Sequence, residues 1–389
     1  MSDRVYLDWN ATTPLRPEAR EAMAAAWDLP GNPSSVHAEG RLARRWIEDA
    51  RGAVASAVGA LPRNVVFTSG GTEANALALT PGLRRGSEPP VERLLVSAIE
   101  HASVLAGGRF PRAAIGTVGV TRAGLVDLGH LQATLASGPP ALVSIMLANN
   151  ETGALQPVKE AAEIVHEANG LLHVDAIQAF GKIPFDINSI VADLVTLSAH
   201  KIGGPKGTGA LVLADGLLGL EPLLRGGGQE HGHRAGTENV PGIAGFGAAV
   251  KAAMGALEID AARIESLRNR LEGGLRQTLG TVIIFADEVP RLPNTTLFTV
   301  LGLKAETAVI GFDLAGIAVS SGSACSSGKV QPSHVLEAMG LGPELAKGGL
   351  RISLGWSTSS ADVDRCLEAW RKLAGTLLKG SDETQLERF

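Results

Sequence analysis

The two cysteines of this 389-residue chain lie in very different surroundings. Cys325 lies in residues 320–328, a run of serine, glycine and alanine whose small side chains leave a thiol unshielded. Such a loop buries too little apolar area to offset the entropy of ordering it, so we interpret Cys325 as a reactive thiol that reaches more than one place. The alternative is a surface loop that happens to carry a thiol. Cys366 shares helical spacing with Val363 and Trp370, which predicts an inert core residue.

Asp175 and Lys201 form a second candidate site, because each of them ends a predicted strand. A lysine buried at a strand end is costly unless it is paired or reactive. Pyridoxal 5′-phosphate uses both groups: the lysine bonds its aldehyde, and the aspartate keeps its pyridine nitrogen protonated. Taken alone, the pair is explained more simply by two unrelated polar residues, for instance an ion pair.

A glycine-rich turn offers the phosphate site that this cofactor requires. Gly71 and Thr72, in a Ser-Gly-Gly-Thr turn, open a predicted helix whose free N–H groups and dipole favour an anion. Ser198 and His200 stand beside Lys201 and can donate hydrogen bonds to the same phosphate. The turn and the Ser-x-His-Lys sequence together favour pyridoxal phosphate over an unrelated pair.

Three further polar residues follow predicted strands. His101 opens a helix, where it either stacks on the cofactor ring or serves only as a polar residue at the helix start. Gln178 lies one helical turn after Asp175 and can hydrogen-bond the ring hydroxyl. Asn149 can reach the same hydroxyl.

Alternating strands and helices must position these residues. Five apolar runs are separated by helix-length stretches: 64–68, 94–97, 142–147, 171–174 and 193–197. This pattern predicts the α/β class, with a mainly parallel sheet covered by helices on both faces. Ligands of such sheets bind beyond the carboxyl ends of the strands, where the candidate residues fall.

The chain is too long for a single core, which predicts two domains. After a predicted helix at 263–279 a second α/β pattern begins, with strands at 295–300, 317–320 and 350–354 and helices at 304–314 and around Cys366. We predict a large domain at 15–260. Residues 1–14 and 261–389 form a smaller α/β domain that carries Cys325.

Composition excludes several classes of protein. The net charge of −5 argues against a nucleic-acid partner, and no apolar run approaches the span of a bilayer. A signal-peptide hydrophobic region is missing, and two cysteines make no disulfide framework, so we expect a reducing cytoplasm and no membrane. His231 and His233 lack a third ligand nearby, which predicts no metal site.

Together the motifs resemble those of the NifS/IscS-type cysteine desulfurases, pyridoxal-phosphate enzymes of the class V aminotransferase group. The resemblance runs from Tyr6 to about Trp356. Its segments are Ser-Gly-Gly-Thr-Glu-Ala-Asn (69–75), Glu-His-Ala-Ser-Val (100–104), Asn-Asn-Glu-Thr-Gly (149–153), His-Val-Asp-Ala-Ile-Gln (173–178), Ser-Ala-His-Lys (198–201), Arg-Ala-Gly-Thr-Glu-Asn (234–239) and Ser-Ser-Gly-Ser-Ala-Cys (320–325). The last segment is similar to that of the long-loop subgroup.

The resemblance implies a fold-type-I transferase that acts as a homodimer with two active sites. It implies conversion of L-cysteine to L-alanine, with the sulfur passing to Cys325 as a persulfide and then to an iron–sulfur scaffold or another acceptor protein. The implied catalytic residues are Lys201, Cys325 and His101. The implied cofactor contacts are Gly71, Thr72, His101, Asn149, Asp175, Gln178, Ser198, His200 and Lys201, with Thr237 serving the phosphate of the partner subunit. The implied substrate contacts are Asn32, Asn149 and Arg351, whose guanidinium suits a carboxylate.

The chain departs from the resemblance at two places. His231 stands where the relatives usually carry arginine, which bears on the subunit contact. The tail at 384–389 does not match the tail with which the IscS branch engages its scaffold, so the acceptor is open. Two other classes stay open: another pyridoxal-phosphate enzyme, such as an aminotransferase or selenocysteine lyase, and a non-catalytic assembly platform. An aminotransferase does not need Cys325, and a platform has no use for Lys201, Asp175 and Cys325 together.

Overall fold

Fifteen strands and eleven helices make up the described part of the chain. The computed structural model describes residues 4–322 and 332–377. The strands are β1 (Val5–Tyr6), β2 (Val65–Thr68), β3 (Arg84–Arg85), β4 (Arg93–Ser97), β5 (Ile115–Val118), β6 (Ala141–Met146), β7 (Leu171–Asp175), β8 (Leu194–Ser198), β9 (Gly209–Leu213), β10 (Leu217–Leu218), β11 (Ile283–Ile284), β12 (Thr295–Thr299), β13 (Ile317–Ala318), β14 (Ser320–Ser321) and β15 (Leu350–Ser353). The helices are α1 (Pro17–Trp27), α2 (Ala38–Ala57), α3 (Gly71–Ala78), α4 (Ala102–Leu105), α5 (Leu128–Ala136), α6 (Val158–Glu167), α7 (Val240–Thr278), α8 (Ala305–Leu314), α9 (His334–Ala338), α10 (Pro343–Gly348) and α11 (Ser360–Leu377).

A seven-stranded sheet in the order β2-β9-β8-β7-β6-β4-β5 confirms the predicted α/β class. Five strands that are neighbours in the sheet are all parallel: β8, β7, β6, β4 and β5. The continuous apolar runs predicted this arrangement. Two strands were not predicted from the sequence: β5 at the edge, and β9, which pairs antiparallel with both β8 and β2.

Helices cover both faces of this sheet. Alternate residues of each strand point to opposite sides, so each face has its own apolar core. In β2, Val65 and Phe67 join one apolar core and Val66 joins another. The first core includes residues of α2 and α7, and the second includes residues of α3. A sheet buried in this way leaves only its strand ends free for a ligand.

A second, four-stranded antiparallel sheet, β11-β12-β15-β14, lies in the C-terminal part of the chain. Its core is built around Trp370, whose ring packs edge-on against Phe298. Cys366 is fully buried in the same core, and burial raises its pKa to about 12, so the predicted core position is confirmed. Ser359 and Asp362 form a capping box at the start of α11: the Asp362 carboxylate accepts from Ser359 N, and Ser359 Oγ accepts from Asp362 N.

The 39-residue helix α7 joins the two cores. Phe246 packs in the core of the large sheet, and Leu271 packs in the core of the small one. The helix is long and apolar enough to span a bilayer by length and composition, which the sequence reading did not foresee, but much of it is buried inside the protein. The predicted boundary at residue 260 falls within this continuous helix, so the division into two domains stays a prediction.

An N-terminal segment, residues 5–13, connects the small sheet to the large one. Strand β1 pairs with β13, and Asp8 forms a bridge with Ser353 of β15. Thr13 then donates its backbone N–H to the carbonyl of His200, just after β8. The segment therefore brings its polar residues to the carboxyl ends of the large sheet.

A buried ion pair offers a test of this packing. Arg51 on α2 holds the Glu230 carboxylate with two bonds, Nη1–Oε2 at 2.7 Å and Nη2–Oε1 at 2.9 Å, and both side chains are almost fully buried. We expect Arg51→Ala to lower the free energy of unfolding by about 3–5 kcal/mol, because it leaves a buried carboxylate unpaired. Urea denaturation followed by circular dichroism measures the change.

The matched control is Arg63→Ala. Arg63 pairs with Asp215 at 3.2 Å, but both side chains are largely exposed, so the loss should stay below about 1 kcal/mol. Equal losses in the two variants would contradict the role assigned to the buried pair.

Candidate active site

The carboxyl ends of the central strands open on two adjoining cavities. The first is lined by His101, Asp175, Gln178 and Lys201, among others, and the second by Ser69, Glu73 and Lys206. Both share Gly71, Thr72, Ser198 and His200. The structure thus brings together eight of the residues predicted from the sequence.

The second cavity fits a phosphate. Helix α3 begins at Gly71, so its free N–H groups and positive dipole end lie at the cavity wall. The Ser198 hydroxyl, on the same wall, is buried and has no hydrogen-bond partner among the described residues. Lys206 adds a positive charge that the sequence reading missed. A bound phosphate would satisfy these donors.

Asp175 lies at the end of β7, where it is almost fully buried. Its Oδ2 accepts from Asn75 Nδ2 at 2.8 Å and its Oδ1 from Ile177 N at 3.0 Å. Burial raises the pKa of Asp175, and these two hydrogen bonds oppose the shift. A protonated pyridine nitrogen would supply the cation that a buried carboxylate needs.

Lys201 follows β8 and is held by the N-terminal segment. Its Nζ donates to the carbonyls of Asn10 and Ala11, the latter at 2.9 Å. Burial lowers its pKa to about 8; the charge of Arg351 acts in the same direction, and Asp8 and Asp175 oppose it. The amine therefore loses its proton far more readily than an exposed lysine, as a nucleophile must.

His101 and Gln178 lie on the wall of the first cavity in fixed orientations. His101 caps α4, with its Nδ1 accepting from Ser103 N at 3.1 Å. Burial lowers its pKa, and Asp175 opposes that shift. The Gln178 amide donates to Asn10 O at 3.0 Å and accepts from Lys182 Nζ at 2.8 Å.

Arg351 of β15 is buried beside the N-terminal segment. Its Nη2 lies 2.9 Å from Asp8 Oδ1, and its Nη1 donates to Asn150 O at 3.0 Å. Its Nε is buried and has no partner among the described residues. The charge of this guanidinium helps to lower the pKa of Lys201.

Besides Arg351, three predicted residues within the described part of the chain do not line these two cavities. The Asn149 amide is occupied within its own turn, where Oδ1 accepts from Glu151 N and Thr152 N. Asn32 lies in an exposed turn before α2, and Thr237 is exposed after β10. Cys325 lies outside the described residues. The roles of these four residues stay predictions.

Several residues of the site were missed by the sequence reading. Asn10 accepts from Lys201 and, through Oδ1, from Lys182 at 3.0 Å. The pKa of Lys182 is lowered well below its ordinary value by burial, and the charges of Lys201 and Arg351 act in the same direction. Asn75 lies in the same motif as Gly71 and Thr72, of which the sequence analysis used only the Ser-Gly-Gly-Thr turn. Within residues 4–322 and 332–377, no group of three His, Cys, Asp or Glu side chains is placed to hold a metal.

Residues 5–366 match the sequence profile of the family described as aminotransferase class-V. The chain belongs to this family. A cysteine desulfurase of Cereibacter sphaeroides is 44% identical over 377 residues, with 94% of each chain covered. The crystal structure of a NifS-like protein from Rickettsia africae superimposes with a TM-score of 0.86 at 37% identity, covering 96% of this chain and 99% of the other. Another solved structure, SspA in complex with cysteine, superimposes with a TM-score of 0.74 at 30% identity, covering 91% of this chain and 100% of the other.

The family match and these relatives confirm the resemblance read from the motifs and the fold type that it implied. They also confirm the cofactor, because the family depends on pyridoxal 5′-phosphate. The wall of the two cavities fits that group independently, with the Ser198 hydroxyl, which has no partner in the described part of the chain, for the phosphate and a buried carboxylate for the ring nitrogen.

Proposed function

We propose that the protein acts as a cysteine desulfurase, which converts L-cysteine to L-alanine and takes the sulfur onto Cys325 as a persulfide. The observation that carries this proposal is the meeting of Lys201, Asp175 and the unpartnered Ser198 hydroxyl on adjoining cavities. It is supported by the name of the Cereibacter relative and by the cysteine held in SspA.

The residues at the strand ends have different roles in the reaction: one transfers protons, and others bind the cofactor. Pyridoxal 5′-phosphate, when bound, supplies an electron sink for the α-carbon of the substrate. Lys201 Nζ, with a pKa of about 8, takes the α-proton when it is uncharged and returns a proton when it is charged. Asp175 would supply a negative charge to the ring nitrogen, and Thr72, Ser198 and His200 would hold the phosphate.

Sulfur transfer needs only one more group. The Cys325 thiolate attacks the substrate sulfur, so that a sulfur–sulfur bond forms as the bond from Cβ to sulfur breaks. Cβ takes a proton, and alanine leaves. The balance is one cysteine and one thiol in, one alanine and one persulfide out, with no external oxidant.

The test is an assay of both products. With L-cysteine and a thiol reductant, the pure holoenzyme should release alanine and sulfide in equal amounts without any added oxo acid. An aminotransferase would require an oxo-acid acceptor and would release no sulfide. If alanine formation depended on an added oxo acid, the proposal would be refuted.

Arg351 serves as the clamp for the substrate carboxylate in this proposal. Its planar guanidinium can form two parallel hydrogen bonds with a carboxylate, and lysine cannot reproduce that geometry. We expect Arg351→Lys to raise the KM for L-cysteine roughly ten- to hundredfold while the cofactor content stays at one per chain. Steady-state kinetics and cofactor absorbance measure the two quantities.

The control for Arg351 is Arg270→Lys. Arg270 pairs with Asp364 at 2.6 Å, both half exposed, and its replacement should leave KM unchanged. Normal kinetics in Arg351→Lys would remove this arginine from the substrate site.

A homodimer is part of the proposal, with Thr237 of each subunit serving the phosphate of the other. It is supported by the exposure of Thr237, which the chain's own cavities do not include. Hybrids of Lys201→Ala and Thr237→Ala subunits should contain one intact site and show about half of the activity per dimer. Hybrids no more active than either parent would count against sharing across the interface.

The sulfur acceptor and the compartment complete the proposal. We propose that in the cell the persulfide on Cys325 passes to a thiol of an iron–sulfur scaffold or similar acceptor protein in the cytoplasm. Incubating the enzyme and a cell extract with ³⁵S-cysteine, followed by non-reducing electrophoresis, identifies the acceptor. Label that stays on this chain in the complete extract would contradict onward transfer.

A further inference from the structure

A continuous series of hydrogen bonds runs beneath the cofactor site. It starts on strands β6, β7 and β8, passes through Asn75 of α3, and divides there toward Asp175 and His101. The links are Ser144–His173 at 2.8 Å, His173–Thr196 at 3.2 Å, Thr196–Asn75 at 2.6 Å, Asn75–Asp175 at 2.8 Å, Asn75–Ser103 at 2.9 Å and Ser103–His101 at 2.7 Å.

The end at His101 fixes the direction of the bonds. The backbone N–H of Ser103 donates to His101 Nδ1, so that nitrogen must carry a lone pair. The Ser103 hydroxyl, 2.7 Å from the same nitrogen, must then donate its hydrogen to it. The Ser103 oxygen is left to accept from Asn75 Nδ2 at 2.9 Å.

Asn75 cannot reverse its amide. It is fully buried, and its two N–H hydrogens go to Ser103 Oγ and Asp175 Oδ2. Its Oδ1 accepts from the Thr196 hydroxyl at 2.6 Å. A rotated amide would place Oδ1 against the Asp175 carboxylate and leave buried groups unpaired, which is costly.

His173 closes the other end of the series. It is fully buried, and burial lowers its pKa to about 3, so it stays neutral. The Thr196 hydrogen is used on Asn75, so the Thr196 oxygen accepts from His173 Nε2–H. His173 Nδ1 therefore accepts from Ser144. Every bond in the series points toward the cofactor site.

We propose that Ser103 and Asn75 are positioning residues that hold His101 as its neutral, Nε2-protonated tautomer and Asp175 as a hydrogen-bond acceptor. Two donors occupy His101 Nδ1, so a proton there would break two hydrogen bonds. Nε2–H is therefore the hydrogen-bond donor that the ring offers to the cavity, and protonation of the ring must displace the two donors from Nδ1. This inference rests on the proposed function only in placing a cofactor beside His101; the hydrogen bonds themselves belong to the protein.

Other charged groups near His101 must be separated from this effect. Asp175, Lys201 and His334 all act on its charge, Asp175 favouring the cation and the other two opposing it. None of them contacts Ser103 Oγ in the structure, where its partners are His101 and Asn75. A change at Ser103 alone therefore isolates the hydrogen bond to Nδ1.

The experiment records the ring nitrogens of His101 by ¹⁵N NMR in holoenzyme labelled with ¹⁵N-histidine, across a range of pH. His101→Gln identifies its signals. In the unchanged protein, Nδ1 should be unprotonated and Nε2 protonated at neutral pH. Ser103→Ala removes one donor to Nδ1, so the protonation constant of His101 should rise roughly three- to tenfold, with kcat changed more than KM.

Two variants complete the design. Ser103→Thr retains a hydroxyl and should restore the tautomer and the titration. Ser137→Ala, which removes an exposed serine bonded to Thr134 O, should change neither. An Nδ1-protonated ring in the unchanged protein, or an unaltered His101 titration in Ser103→Ala, would overturn the inference. Failure to release alanine while the NMR result holds would refute the proposed function alone.

Discussion

Replacing Lys201 with alanine should lower the rate of alanine formation from L-cysteine by roughly 10²- to 10⁴-fold. The variant loses both the amine that bonds the cofactor and the group that moves the α-proton. Borohydride reduction of the unchanged holoenzyme should fix the cofactor on the Lys201 peptide, and peptide mass spectrometry detects it there. Lys201→Ala should carry no fixed cofactor after the same treatment.

Lys182 provides the sharpest control for this assignment. It is a second amine with a lowered pKa, and it shares the Asn10 side of the site with Lys201. Lys182→Met should still fix the cofactor on Lys201. Cofactor fixed on Lys182, or full turnover by Lys201→Ala, would remove Lys201 from the centre of the chemistry.

Replacing Cys325 with alanine should abolish alanine formation and leave cofactor binding intact. Adding L-cysteine should still change the absorbance of bound cofactor, because binding of the amine needs no thiol. The reaction should then stop, because nothing takes the sulfur. Mass spectrometry of the unchanged enzyme after exposure to cysteine should find one extra sulfur on the Cys325 peptide.

Cys366→Ala is the matched control for the thiol. Cys366 is fully buried, and its raised pKa keeps it a thiol, so we expect full activity with a modest loss of stability. Extra sulfur on Cys366, or unchanged alanine formation in Cys325→Ala, would reject sulfur transfer through Cys325.

The sequence predicted those parts of the site that are set by local pattern. Asp175 and Lys201 follow strands whose apolar runs are continuous, and parallel strands bring their carboxyl ends to one edge. Gly71 and Ser198 could also be predicted, because a few neighbouring residues are enough to indicate the chemistry of each.

The remaining parts depend on contacts between distant segments. Asp8 and Asn10 precede the first helix and carry no motif for a lysine or arginine partner, yet they hold Lys182, Lys201 and Arg351. Strand β9 was missed because its apolar run, within Gly209–Leu213, follows a glycine-rich loop and reverses direction against β8. The periodicity of apolar residues does not indicate which distant segment of the chain contacts a given strand or side chain.

The N-terminal segment can complete its contacts only late in the synthesis of the chain. Asn10 N donates to Ser353 Oγ, 343 positions further along the chain, and Asn10 O accepts from Lys201. A ribosome therefore releases these early residues long before their partners exist. The large sheet can form during translation and can hold the segment through Thr13 and Gln178, but the contacts of Asp8 and Asn10 with Ser353 form only when β15 has been made. A nascent chain stalled before Ser353 should thus present a folded large sheet whose N-terminal segment still lacks its anchor on β15.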